Sequence, residues 1–221
     1  MSDLFYKTIY TGTSIALFTS SRALVRGLEH VPTAGGAILA PNHFSWYDIP
    51  LLAYHTPRML DFVATDELFR RPFWNSFYRG MNCIRHQRDA PDPRAVRMIL
   101  GRLQKGRVVT IFPEGKLCAY EHSLFTDGVL RPGMARLAMR ARVPLIPVVL
   151  LNTDTYRRFR SWIPFFRARY GVIYGEPLAV PHVASREEQG ETLRTFEEAY
   201  RTRMRTLREV LLGEMQAIGW M

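Results

Sequence analysis

Very little in this chain could staple it, hold a metal for it or anchor it across a bilayer. Cys83 and Cys118 are the only cysteines among 221 residues, and they form no C-x-x-C pair or metal-like cluster. A disulfide framework and a cysteine-based metal centre are excluded, and a reduced, cytosolic chain is the default. No segment approaches the roughly 18 uninterrupted apolar residues of a spanning helix. The N-terminus lacks the charged start, compact apolar stretch and cleavage site of a secretory signal. Internal repeats, low-complexity runs and glycine-serine linkers are missing as well, which fits one continuous domain. Negative charge is short: 20 acids face 30 basic residues for a formal charge of +10, and only Lys7, Lys105 and Lys116 of those 30 are lysines. Such a surplus asks for an acidic partner, whether nucleic acid, an anionic membrane surface or a phosphorylated substrate. The arginine bias reflects either genomic base composition or bidentate phosphate contacts.

What is present reads as a packed α/β domain. The composition is 47% hydrophobic and 23% charged, inside the globular range. Residues 4 to 26 are predicted as a helix, whose charge-free stretch Thr8 to Ser21 is diluted by threonine, serine and glycine and so suits an interfacial or core-packing position. Short apolar runs at Ala37 to Ala40, Val108 to Phe112 and Leu145 to Leu150 read as buried strands, with Pro147 calling for a bulge or an edge position in the last. Further strands are predicted near Arg58 to Ala64 and Tyr170 to Tyr174. Helices are predicted near Pro50 to Tyr54, Glu67 to Tyr78, 93 to 105, 133 to 142 and 186 to 216. Helices alternating with apolar strands give a single domain with a mostly parallel central sheet flanked by helices, whose ligands gather at the carboxyl ends of the strands.

Two polar clusters sit at such strand ends: Asn42-His43-Phe44-Ser45-Trp46-Tyr47-Asp48 and Phe112-Pro113-Glu114-Gly115. A strand-turn-helix corner can bring Asp48 against the His43 imidazole, fixing its tautomer and stabilising the imidazolium formed when it accepts a proton. The nucleophile would then be a substrate hydroxyl, since no G-x-S-x-G elbow occurs and neither cysteine has a histidine neighbour in sequence. The other reading is that Asp48 caps a helix beginning near Pro50 and His43 bonds locally. In the second cluster Glu114 offers an acceptor and Gly115 permits close backbone approach to a ligand, or the four residues are a plain strand-exit turn.

These blocks resemble those of the glycerolipid acyltransferases typified by 1-acyl-sn-glycerol-3-phosphate acyltransferase. Asn42-His43 with Asp48 looks like the family's N-H-x4-D signature, and Arg88 falls where its second block has an arginine. Phe112-Pro113-Glu114-Gly115 is similar to its F-P-E-G block, Leu130 to Ala135 to its segment with a basic residue two before a glycine, and Val143 to Val148 to its fourth block. The resemblance runs from about Gly27 to Leu151. It implies acyl transfer from a thioester, acyl-CoA or acyl carrier protein, to the free sn-2 hydroxyl of 1-acyl-glycerol-3-phosphate, giving phosphatidic acid without cofactor or metal. It also implies His43 as general base, Asp48 as its orienting partner and Arg88 at the acceptor's phosphate, with Arg85 as a competing contact. Asn42, Glu114 and Gly115 would help hold the acceptor, and Pro147 would shape the cavity. After Gly115 the chain departs from the family's usual threonine or serine, arginine and serine, having Lys116, Leu117 and Cys118; Lys116 could supply a point charge toward phosphate. Alternative acceptors are glycerol 3-phosphate, another lysophospholipid or a lyso-aminolipid, and the alternative outside the family is a non-catalytic basic lipid- or nucleic-acid-binding protein.

Arginines are interleaved with aromatics at Phe69 to Arg79 and at Tyr156 to Arg169. Such a surface suits an anionic membrane, single-stranded nucleic acid, or core aromatics beside solvated arginines. With no nucleic-acid motif present, a peripheral, monotopic enzyme on the cytoplasmic face of a membrane is expected. The expected layout is an N-terminal interfacial helix over 1–26 and an acyltransferase domain over 27–221. Within that domain the motif-bearing core takes 27–151, the basic-aromatic segment 156–170 and a salt-bridged amphipathic helix 186–216.

Overall fold

Ala37–Pro41, Val108–Thr110 and Leu145–Leu151 are buried at every position, a pattern that only a sheet covered on both faces accommodates. The computed structural model describes residues 3–88, 90–126, 128, 130–165, 167–181 and 188–221. In chain order the main elements are α1 (Asp3–Ser20), β1 (Ser21–Arg26), β2 (Ala37–Pro41), α2 (Asp48–His55), β3 (Leu60–Thr65), α3 (Pro72–Gly80) and β4 (Ile84–His86). They continue with α4 (Pro93–Gln104), β5 (Val108–Thr110), α5 (Gly133–Ala141), β6 (Leu145–Leu151), β7 (Ala168–Tyr174) and α6 (Glu188–Ala217). The seven strands lie in the order β1-β7-β6-β2-β5-β3-β4. Every neighbouring pair is parallel except β6 and β7.

Alternate residues of each central strand feed opposite cores. Ile38, Ala40, Val109, Leu145 and Val149 pack with Ile99 of α4, Ala135 of α5 and Tyr200 of α6. Leu39, Val108, Ile146 and Val148 pack on the other face with Leu17 of α1 and Leu51 of α2. The long helix α6 buries Leu193, Phe196, Tyr200, Met204, Leu211 and Met215, a spacing of three and four residues that keeps one stripe on the sheet. Its first turn starts at Glu188; residues 186 and 187, where the helix was expected to begin, lie outside the described residues.

The expected single helix over 4–26 is corrected: it ends at Ser20, and Ser21–Arg26 is an edge strand paired with β7. The period changes at that point from helical to alternating. Leu24 faces one core while Ala23 and Val25 face the other, so burial on both sides favours a strand over helix continuation. The N-terminal helix therefore stops at residue 20, and 21–26 belong to the sheet. The predicted helix over 67–78 also divides, into a 3-10 turn at Asp66–Phe69 and α3, because Pro72 supplies no N–H and starts a new helix at its first turn.

Pro147 lies inside β6, between β2 and β7, and is not at an edge. A bulge accommodates it. Leu145 pairs with Leu178 and Val148 with Tyr174, so three residues on the β7 side oppose two on β6. The Pro147 carbonyl accepts from Gly175 N–H at 2.8 Å on that side, where the proline's missing donor would otherwise break the ladder.

Candidate active site

The parallel strands β2, β5 and β6 end side by side, with Leu39 opposite Thr110 and Pro41 opposite Val148. Three loops leave this rim: 42–47 toward α2, 111–132 toward α5, and Asn152-Thr153. Asn42 joins two of them. Its side chain accepts from Leu150 N–H at 2.8 Å and donates to Leu150 carbonyl at 3.0 Å, fully buried. The amide's oxygen and nitrogen both bond main chain, so Asn42 ties β2 to β6 at the rim.

Beyond Asn42 the chain folds back on itself. Asp48 is the first residue of α2, yet its side chain turns away from the helix and accepts from Phe44 and Ser45 N–H, both at 2.8 Å on Oδ2. The same oxygen lies 3.0 Å from His43 Nδ1. Thr153 donates its hydroxyl to the other oxygen, Oδ1. Of the two sequence readings for Asp48 the geometry gives the pairing with His43, since no side-chain cap of α2 is made. With N–H and O–H donors converging on the carboxylate, Nδ1 carries the imidazole's proton and Nε2 keeps its lone pair. The ring stacks on Phe112 with centroids 3.9 Å apart and meets Trp46 edge-on at 6.4 Å, which holds its plane.

Glu114 fixes the histidine's main chain. Its Oε2 accepts from His43 N–H at 2.7 Å and its Oε1 from Leu124 N–H at 3.0 Å. Burial pushes its carboxyl above the ordinary range, against the pull of those two N–H groups. Both oxygens accept from backbone donors, so Glu114 ties together the loops that carry His43 and Leu124. Gly115 turns the chain with φ at +68°, and a Cβ there would stand 2.6 Å from Arg131 Nε. The open backbone is what lets residue 131 dock on this turn, where its N–H donates to Pro113 carbonyl at 2.9 Å.

His43 lines a cavity of 1020 Å³. One group of walls is apolar: Tyr6 and Ile9 of α1, Ile49 of α2, Phe62 of β3 and Phe77 of α3. A second group is basic: Arg88, Lys116, Arg131, Arg136 and Arg140. Arg88 Nε is buried with no hydrogen-bond partner among the described residues, while the Arg88 carbonyl accepts from Arg131 Nη1 at 2.9 Å. Arg85 is elsewhere: exposed on β4, it faces Asp66 at 3.8 Å and does not line the cavity. Pro147 sits inside the sheet and is not a wall residue either. Cys83 lines the cavity, but burial, with Asp61 adding, pushes its thiol up to about 12, and burial also raises Cys118. Neither thiol is a nucleophile in that state. Among the described residues no group of three or more histidine, cysteine, aspartate or glutamate side chains could hold a metal.

Sequence reasoning missed Thr153 and Phe112 as neighbours of the dyad. Thr153 was findable only from strand register, as the second residue past a strand end that abuts the His43 loop; Phe112 directly precedes Pro113-Glu114-Gly115.

The comparisons with known proteins agree with this rim. A family model described as Acyltransferase matches residues 22–151. The chain is 24% identical over 210 residues to a 1-acyl-sn-glycerol-3-phosphate acyltransferase of Bacillus subtilis (strain 168), covering 93% of this chain and 98% of that protein. A protein of the same name from Borreliella burgdorferi is 25% identical over 141 residues, 61% of this chain and 53% of its own length. The crystal structure of the 1-acyl-sn-glycerophosphate (LPA) acyltransferase, PlsC, from Thermotoga maritima shares the fold, with a TM-score of 0.65 at 24% identity over 93% of this chain and 80% of that one. With the model spanning more than half of its length and every block of the rim inside or beside that span, this chain belongs to the acyltransferase family.

Proposed function

We propose that the chain is a 1-acyl-sn-glycerol-3-phosphate O-acyltransferase, moving an acyl group from acyl-CoA or acyl carrier protein to the sn-2 hydroxyl and giving phosphatidic acid. The observation that carries this is the His43–Asp48 pair at 3.0 Å, set in one cavity with apolar walls and a basic wall. His43 Nε2 takes the hydroxyl proton as the oxygen attacks the thioester carbonyl, and Asp48 stabilises the imidazolium. As the tetrahedral intermediate collapses the C–S bond breaks, and the proton passes from Nε2 to the departing sulfur. The apolar walls suit an acyl chain, and Arg88 with Lys116 suits the acceptor's phosphate, the unpartnered Arg88 Nε being a donor in want of an acceptor. A donor panel of acyl-CoA and acyl carrier protein, crossed with lysophosphatidic acid, glycerol 3-phosphate, other lysophospholipids and a lyso-aminolipid, tests the reading. Phosphatidic acid formation by the wild type and none by a folded His43→Ala variant is the expected result. Turnover that survives His43→Ala removes the mechanism, and preference for another acceptor removes the substrate.

The same reading places the enzyme on a membrane surface from the cytoplasmic side. Among the described residues no helix is long and apolar enough to cross a membrane. Instead Phe18 of α1, Phe73 of α3, Phe159 and Phe165 are exposed, with Arg70, Arg71, Arg157 and Arg158 exposed nearby in sequence. These elements adjoin: Phe5 packs on Phe77 with centroids 6.0 Å apart, and Thr19 carbonyl accepts from Phe165 N–H at 3.0 Å. Aromatics at headgroup depth beside arginines suit anionic lipid. Co-sedimentation with anionic vesicles that persists partly in high salt is expected, and loss of all binding in salt would count against burial of the aromatics.

A further inference from the structure

Resting on the reading of His43 as the base, we propose that Arg201 of α6 is a positioning residue for it, acting through the loop after Gly115 and through Glu114. Residues 123 to 126 and residue 128 have neither helix nor strand to satisfy their carbonyls, and buried carbonyls need donors. Arg201 supplies them: Nη1 donates to Leu124 carbonyl at 2.9 Å and to Thr126 carbonyl at 3.3 Å, and Nη2 to Gly128 carbonyl at 2.9 Å. Leu124 is the residue whose own N–H bonds Glu114 Oε1, and Glu114 Oε2 in turn holds His43 N–H. One guanidinium therefore reaches the histidine's main chain through three successive hydrogen bonds and two residues.

A second path from the same helix ends at the same corner. The Arg208 guanidinium lies 4.5 Å from the Tyr120 ring and 5.7 Å from the Phe125 ring. Those rings pack edge-on against Phe44, at 6.4 and 5.8 Å, and Phe44 N–H donates to Asp48. Arg205 adds donors to Phe125 and Thr126 carbonyls at 3.3 and 2.9 Å. Tyr200, beside Arg201 in sequence, anchors α6 to the sheet by donating to Ala40 carbonyl at 3.0 Å, three residues before His43. The C-terminal helix, outside the matched span of 22–151, thus braces both His43 and Asp48, and Arg201 is the member that bonds the relay directly.

The test reads kinetics and spectra on the full chain. Arg201→Gln should lower kcat about tenfold with KM for donor and acceptor unchanged, because a displaced base slows chemistry without weakening binding. In a Glu114→Gln background the same substitution should add less than about twofold, since both act along one path. The backbone amide resonance of His43 in labelled protein should move in Arg201→Gln and stay in Arg203→Gln, whose parent bonds Glu176 on the exposed side. Arg201→Lys, keeping a cation and a donor, should restore part of kcat and serves as the probe if the glutamine variant does not fold. An unmoved His43 resonance with unchanged kcat, or an equal loss of kcat in both backgrounds, overturns the relay. The resonance is read without substrate. If the wild type transfers no acyl group, the reaction assignment fails and the relay is judged on the spectrum alone.

Discussion

Thr153 donates its hydroxyl to Asp48 Oδ1 across 105 residues of chain. It is buried, and with Phe44, Ser45 and His43 on the other oxygen it completes the carboxylate's set of donors. Replacing it with valine keeps the shape and removes the donor, leaving the buried Oδ1 without the hydroxyl that Thr153 gives it while the three donors on Oδ2 stay. Thr153→Val should lower kcat about tenfold at constant KM, and Thr153→Ser should retain most of the rate. Steady-state kinetics on the two variants check both outcomes.

Asn42 ties the rim together through both atoms of its amide. Asn42→Ala strips the partners from Leu150 N–H and carbonyl at once, inside a fully buried site. A loss of about 2–4 kcal/mol in unfolding free energy is expected from two orphaned backbone groups. Urea denaturation of the purified variant measures it; a loss below about 0.5 kcal/mol would show that the strands hold without the clamp.

Arg88 and Arg85 are three residues apart and separate cleanly in the fold. Arg88→Gln should raise the KM for a phosphate-bearing acceptor about tenfold or more with kcat little changed, since its buried Nε has no hydrogen-bond partner among the described residues. Arg85→Gln breaks only a long exposed ion pair with Asp66 and should leave KM within about twofold. Acceptor saturation curves for the two variants decide which arginine meets phosphate.

His55 gives stability a pH dependence of its own. It ends α2 with Nε2 2.7 Å from the Tyr170 hydroxyl, and burial lowers its pKa to about 4. The unfolded chain takes up this proton near pH 6.5 while the folded one does not. The stability associated with neutral His55 is therefore full above about pH 6.5 and drains as pH falls toward 4, by about 3 kcal/mol. Chemical denaturation at pH 7.5, 5.5 and 4.5 should show this slope in the wild type and a flatter one in His55→Gln.

Most of the rim was legible in sequence because each block stands where a strand stops, and a buried apolar run ending in Pro-Asn-His or Pro-Glu-Gly needs no tertiary information to be located. Other features depended on register. Thr153 lies next to Asp48 only because β6 runs parallel to β2 with Pro41 opposite Val148. The two arginines near residue 86 look alike in a string, yet β4 buries Ile84 and exposes Arg85. Residues 21–26 were misjudged because Leu24 and Val25 fit a helical face as well as an alternating one, and the deciding partner, β7, begins at Ala168. Asn42 and Glu114 were singled out correctly as polar residues at strand ends, but which atoms satisfy them was invisible without the loops they tie.

The loop from His43 to Asp48 is closed on itself by one carboxylate oxygen with three bonds, His43 Nδ1 and the Phe44 and Ser45 N–H groups. A six-residue ring of this kind has its shape settled when the protein folds. The entropy of ordering His43 is met once, on folding, and would not recur in each cycle of the proposed reaction. Its working orientation therefore exists before either substrate binds.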